Sequence, residues 1–422
     1  MYALSFFMLK DMLPSLPVRN MQNEIKTVSV GGTPRVRIPS QALKRPIREE
    51  MSEDEVIFAN GSDMVHLYLD KYIQDGTFAD RENAAYINLA TSLCDALNTP
   101  YRKYGTTQSD DKGSLVHYDK KTLPAIFEAV MRVYQDNAAE FKKKLSADIK
   151  AKVQKAAKDA YHQYATHPVQ ALLGKMATGG AADTYYGALR MGDALSVDVH
   201  AGDREDFVAR MLCHESPSDN GGFFDGVLNI WSAKERAKPN ADTMNSFDIA
   251  ANTFALPAVV DTRLLYKNLC LHNATAVNTE VRSSEIAREM TKDISLEFLR
   301  RLIMVQHAGK QSSNMSFTRP SLVVIGVHKS GQPVFPTFPK PLMYNGMQDK
   351  SVMEQAIERT IMFLRDETFA FDDVKYYVML SEEYDKYKEQ FEELGATMMK
   401  AKTFNSLLAP EVNNMVDCFT TV

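Results

Sequence analysis

The stretch "VGGTPRVRIPSQALKRPIRE", residues 30–49, decides how this chain is read. Between Arg35 and Arg48 it sets Arg35, Arg37, Lys44, Arg45 and Arg48 with no acidic residue among them, in a protein of net charge −5. "KTVSV", residues 26–30, is an extended run, and Gly31 with Gly32 permits a tight reversal because glycine tolerates positive φ. The alternation Arg35, Val36, Arg37, Ile38 then puts two guanidinium groups on one face of a strand and two branched apolar chains on the other. Ser40 is placed to cap a helix in which Leu43 and Ile47 point inward while Gln41, Lys44, Arg45 and Arg48 point largely away. Strand and helix thus display cations together, a pattern that matches the spaced negative charges of a nucleic-acid backbone. The competing reading is an ordinary solvated face.

The rest of the chain narrows the choice. Its 422 residues suffice for a substantial core and suggest two or three domains; 45% hydrophobic and 24% charged residues are those of a globular protein. An acidic total excludes a generally basic nucleic-acid coat, so a polyanion has to be gripped by a local patch. Cys94, Cys213, Cys270 and Cys418 lie far apart and form no metal-ligand pair, which suits reduced thiols in a cytoplasmic protein. The apolar start "MYALSFFML" is too short to span a bilayer and reads as a buried strand, so no membrane partner is expected.

Along the chain, the acidic run "EEMSEDE", residues 49–55, ends the basic unit and marks a boundary. Residues 120–174 are helical in pattern, and the lysines of "AAEFKKKLSADIKAKVQKAAKDAYHQY" read as a solvated face. "GKMATGG", residues 174–180, follows. Residues 200–261 mix turn formers and charge and read as a projecting loop or small subdomain. A helix over about 284–305 precedes "GKQSSNMSFTRP" and the apolar strand "SLVVIGV"; a helix at 351–366, the strand "YYVML" and a charged helix ending at Gly395 complete the chain.

Catalytic motifs are missing. "LLGKMATGG" fails as a phosphate loop because Met176 follows the lysine and no glycine stands at the earlier position. The histidines form no HExxH pair, and no nucleophile elbow occurs. The residues favour binding over catalysis, with no metal or cofactor.

The run "PVRNMQNEIKTVSVGGTPRVRIPSQALKRPIR", residues 17–48, resembles the amino-terminal signature of the CasC-type backbone subunit of CRISPR Cascade complexes of the type I-E kind. Arg19, Lys26, Gly31, Gly32, Arg35, Arg37, Ser40, Gln41, Lys44, Arg45 and Arg48 satisfy its pattern. "GKMATGG" is similar to the family's Gly-Arg-Met-Ala-Thr-Ser-Gly element, and "HAGKQSSNMSFTRPSLVVIGV" to its Gly-Lys-Gln segment and following strand. The resemblance implies an α+β fold shaped like a right hand, with an RRM-like (ferredoxin-like) palm, a helical fingers domain and a projecting thumb. The palm would take residues 1–50, 174–199 and 262–422, the fingers 51–173 and the thumb 200–261.

By the same resemblance, Arg19, Lys26, Gln41, Lys44, Arg45, Arg48 and Lys310 would hold guide-RNA phosphates. Met176 would act as an apolar wedge, and Arg35, Arg37, Ser40 and Lys175 would complete the RNA-binding set. The implied role is that of a non-enzymatic subunit that polymerises with copies of itself along a guide RNA (crRNA). It would support pairing with target DNA among other Cascade subunits and leave cutting to a recruited effector nuclease, in antiviral defence. The sequence departs from the pattern at Pro39 and at Pro46 inside the basic helix, in the thumb region, which lacks the family's aromatic elements, and in a helical part longer than the family's. Two rivals are a type III-like backbone subunit that cuts RNA with metal, for which Asp11 and Glu24 are the nearest acidic candidates, and an RRM-like module outside CRISPR defence.

Overall fold

The computed structural model describes residues 2–420, except 21–23, 52–54, 59–60, 104–115, 120–121, 163–166, 176–183, 185, 201–202, 210–242, 277–279, 307–308, 310–314, 344–349 and 371–372. In chain order its strands are β1 (Ala3–Asp11), β2 (Thr27–Val30), β3 (Thr33–Ile38), β4 (Glu55–Phe58), β5 (Val116–Asp119), β6 (Leu189–Met191), β7 (Ala194–Ser196), β8 (Asp203–Ala209), β9 (Thr243–Ile249), β10 (Thr253–Asp261), β11 (Leu322–His328), β12 (Val374–Leu380) and β13 (Thr397–Met398). The chain divides into two compact units, one of residues 1–50, 189–263 and 295–422 and the other of 51–188 and 264–294.

The first unit is built on a sheet in the order β13-β12-β11-β1-β10-β7-β3-β2, with β6 also paired to β10. β1 lies between β10 and β11, antiparallel to both, with Ala3 opposite Asp261 on one side and His328 on the other. A strand enclosed on both edges and both faces reads as an unbroken apolar run, and the first seven residues of β1 and all of β11 are buried. The helix Val352–Ala370 covers one face, where Phe7, Leu9, Val324, Ile357 and Phe391 share a core.

β10 is the main departure from the sequence reading, which groups residues 253–261 with the projecting thumb. Pro257 sits in its middle, where proline removes a ladder donor. The gap falls where the neighbouring strand is interrupted between β6 and β7: Pro257 O accepts from Gly192 N at 2.9 Å, so its nitrogen faces the same break. From the thumb expected over 200–261 the structure describes the antiparallel pair β8 and β9, while 210–242 lies outside the described residues.

The second unit is helical, with Gly61–Gln74, Ala84–Ala96, Thr122–Asp136 and Ala147–His162 among its helices and the pair β4–β5 beside them. Leu89, Ile126, Val130, Phe141 and Val153 are in its core. Asn83 caps one helix by accepting from Ala85 N at 2.9 Å. Residues 264–294 cluster with this unit, whereas the sequence reading places them with the second part of the palm.

Candidate nucleic-acid interface

The site starts from a hairpin. β2 and β3 pair antiparallel, Val30 opposite Thr33, through a turn in which Gly31 and Gly32 take φ of 60° and 79°. Two consecutive positive φ values match the right-handed twist of the strands. Gly31 has a second reason to be glycine, since a Cβ there would lie 1.9 Å from Pro339 O.

β3 does not present two free guanidinium groups. Arg35 and Arg37 share a face, as the alternation requires, but Arg35 is 0% exposed. It donates to Ser196 O (2.9 Å), Phe338 O (3.2 Å) and Thr33 Oγ1 (3.2 Å), tying the hairpin to β7 and to the segment that carries Phe338. Burial lowers its pKa, against the opposing pull of Asp198. The Asp198 carboxyl is itself raised to about 6, chiefly by burial, with bonds from Asn252 and from the Asp198 and Thr253 backbone opposing and the Asp11 charge adding to the rise.

Arg37 is exposed and paired with Asp193, whose other oxygen accepts from Ser40 N at 2.9 Å. The helix Ser40–Met51 is therefore capped by a carboxylate from the β6–β7 break rather than by the Ser40 hydroxyl, and a negative charge at that end suits the helix dipole. Leu43 and Ile47 are buried, as their spacing predicts, and the helix continues through Pro46 to Met51.

On the outer side, Arg45 pairs with Glu49 at 2.8 Å, which raises its pKa, while Gln41 is exposed. Lys44 is half-buried, and burial first, then the neighbouring Arg48 charge, lower its pKa, with Asp193 opposing. Backbone bonds bring two more cations to the edge of β3. Arg37 N donates to Lys26 O (2.8 Å) and Lys26 N to Val18 O (3.2 Å), while Arg19 bridges to Ile25. Among the described residues none of Arg19, Lys26, Lys44 and Arg48 has a carboxylate within ion-pair distance.

Lys175 belongs to the helical unit, with its ammonium 5.1 Å from the Tyr161 ring centre. It follows Gly174, whose φ of 86° ends the helix Pro168–Leu173. Met176 and Lys310 lie outside the described residues. Of the acidic candidates, Asp11 accepts from Thr253 Oγ1 at 2.5 Å and is raised in pKa mainly by burial, and Glu24 is exposed and bonded to Asn20. Among the described residues no three of His, Cys, Asp and Glu are grouped to hold a metal ion.

Two groups here escaped the sequence reading. Asp193 carries no local signal, because its partners are more than a hundred positions away. Lys10 does: a lone lysine in "FFMLKDM" announces a cation among apolar chains. It lines a small pocket with Ile38, Leu43 and Phe254, and donates to Val305 O (3.1 Å) and Gln306 Oε1 (2.6 Å). Burial pulls its pKa to about 8.

The family described as CT1975-like protein matches residues 4–209, a span that holds the basic hairpin, its helix and the glycine-rich motif. A solved structure titled "CRISPR RNA-guided surveillance complex, pre-nicking" contains a chain similar in fold, with a TM-score of 0.68, 17% identity and 99% of each chain covered. A second, titled "CRISPR RNA-guided surveillance complex", gives 0.61, 15% and the same coverage. No curated protein matches the sequence. The family match over residues 4–209 includes the run 17–48 on which the resemblance was read, and the fold match over nearly the whole length is to chains of RNA-guided surveillance complexes.

Proposed function

We propose that this chain is a guide-RNA-binding backbone subunit of a type I CRISPR surveillance complex. The observation that carries the reading is the group of cations Arg19, Lys26, Lys44 and Arg48 around one hairpin and helix, none with a carboxylate at ion-pair distance among the described residues. Lys44 is held half-buried beside a like charge, an arrangement that costs free energy until an anion joins it. A row of RNA phosphates supplies such anions.

The RRM-like palm is supported by strand order. β11-β1-β10-β7 run as strands four, one, three and two of a βαββαβ unit, with the helix Ser40–Met51 in the first crossover and the helices of 262–304 in the second. β8 and β9 would be the root of the thumb and the helical unit the fingers. Arg19, Lys26, Lys44 and Arg48 would hold phosphates, with Gln41 donating beside them; Arg37 and Arg45 would join by loosening from Asp193 and Glu49. Arg35 would hold the hairpin in place from inside. Copies would line up along one guide and display it to target DNA in a cytoplasmic complex, with no cleavage by this subunit.

The test is to purify the protein with its associated subunits and sequence the RNA that accompanies it. Repeat-derived handles of uniform length are expected. RNA of random length and origin, or none, would overturn the reading, and regularly spaced cleavage of complementary RNA in magnesium or manganese would favour the type III-like rival.

A further inference from the structure

Residues 315–320 run extended beside the end of β1. Ser321 N donates to Leu9 O (2.9 Å), Thr318 Oγ1 to Asp11 O (2.5 Å) and Ser316 Oγ to Leu13 O (3.1 Å), so the segment is fixed at three successive points. Ser316 is 1% exposed and lines the Lys10 pocket together with Leu43. Strand alternation then turns its neighbours outward, and Met315 is 65% and Phe317 56% exposed. Met315 and Phe317 thus stand exposed on a pinned backbone, and Leu13 and Met304 are exposed next in sequence to residues of the same pocket, Met12 and Val305.

Cations adjoin these segments along the chain. Lys44 follows Leu43 of the pocket wall. Arg319 is exposed on the same side of the extended segment as Phe317. Arg19 lies two residues beyond Pro17, whose carbonyl packs so closely on Gly309 that a Cβ there would come within 2.2 Å of it. An apolar protein contact surface is depleted of lysine at its centre; exposed apolar side chains on segments that also carry cations instead suit a single strand, with phosphates on the charges and bases on the apolar groups.

We infer that Phe317, with Met315 beside it, is a stacking platform for a nucleobase of the bound single-stranded RNA. The inference rests on the RNA-binding reading above and adds base contacts to a site so far made of phosphate contacts. The ring offers its face to any base, so the contact is indifferent to sequence, as a subunit carrying many guides requires.

The test compares the full chain and its Phe317→Ala and Phe317→Trp variants for binding to an oligouridine and to an abasic oligoribonucleotide of equal length, across a salt series. Phe317→Ala should weaken oligouridine binding at least about fivefold, leave the abasic strand's affinity and both salt slopes unchanged, and be rescued by Phe317→Trp. Equal affinity of wild type and Phe317→Ala for oligouridine, with a salt slope that still depends on Lys44 and Arg45, would overturn the platform and leave the phosphate site standing. Equal loss on both strands would mark a structural role and also overturn it. So would loss of self-association in sedimentation without RNA, which would make Phe317 a contact between copies. No binding of either strand by wild type would remove the RNA reading and the platform with it.

Discussion

Two amphipathic helices of this protein carry a similar load of cations to different effect. Along Ala147–His162, Lys150, Lys155 and Lys158 are exposed, and Lys152 pairs with Asp148 one turn away at 3.3 Å. Such charges are fully hydrated and cost nothing to hold. Along Ser40–Met51, Lys44 is half-buried and faces the charge of Arg48, with Asp193 the only opposing carboxylate among the causes of its shift. Counting lysines therefore does not find a polyanion site. The mark of one is charge held where solvent alone does not repay it.

The sharpest way to break this comparison is through Arg35, which belongs to the same motif but has three internal acceptors. Arg35→Leu should cost about 3 kcal/mol in denaturant unfolding, because buried carbonyls lose their donor and Asp198 loses its countercharge. A folded variant with unchanged stability and a lowered salt slope for RNA would show that Arg35 leaves its pocket to meet phosphate.

Lys44→Ala/Arg45→Ala should lower the slope of log affinity against log salt by roughly 1.4, since each phosphate contact on single-stranded RNA contributes about 0.7. Stability should change by only about 0.5 kcal/mol. Lys155→Ala/Lys158→Ala is the matched control and should leave the slope alone. Equal loss in both variants would erase the distinction between the helices.

Asp193→Asn tests the carboxylate that restrains Arg37. It should cost about 1 kcal/mol by weakening the helix cap and dipole contact, yet steepen the salt slope as Arg37 is released. A stability loss with a shallower slope would mean that Asp193 positions Arg37 for RNA instead of competing for it.

The smallest effect is with pH. The Lys44 pKa is lowered in the folded protein, so the unfolded chain binds more protons between that value and 10.5, and stability rises with pH across the window. RNA affinity should fall over the same window, because a neutral Lys44 no longer meets phosphate. Isotope-edited NMR of the Lys44 side chain, free and RNA-bound, should show its titration moving up on binding.

Much of the frame was legible from local pattern. β1 and β11 could be read because a strand enclosed on every side is apolar throughout, and the hairpin because Gly31-Gly32 permits few alternatives. The unequal fates of Arg35 and Arg37 could not be read. Alternation puts both on one face, and the cover over Arg35 comes from Phe338, 303 positions away. The helix cap was misassigned to Ser40 for the same reason, since the competing carboxylate lies 153 positions away. β10 was hidden by Pro257, whose missing donor matters only if the neighbouring strand is continuous there.

The central place of β1 has a consequence for how the protein is made. During synthesis Ser5 waits 323 residues for its partner His328, and Asp11 waits 242 for Thr253. At about 5–20 residues per second, that leaves an apolar strand with both edges open for roughly 10–50 s and one edge open longer still. A chain whose middle strand is made early and enclosed late folds slowly and is prone to aggregate. Its yield in a cell is therefore expected to respond to holdase chaperones and to translation speed ahead of residue 322, quite apart from the stability of the finished sheet.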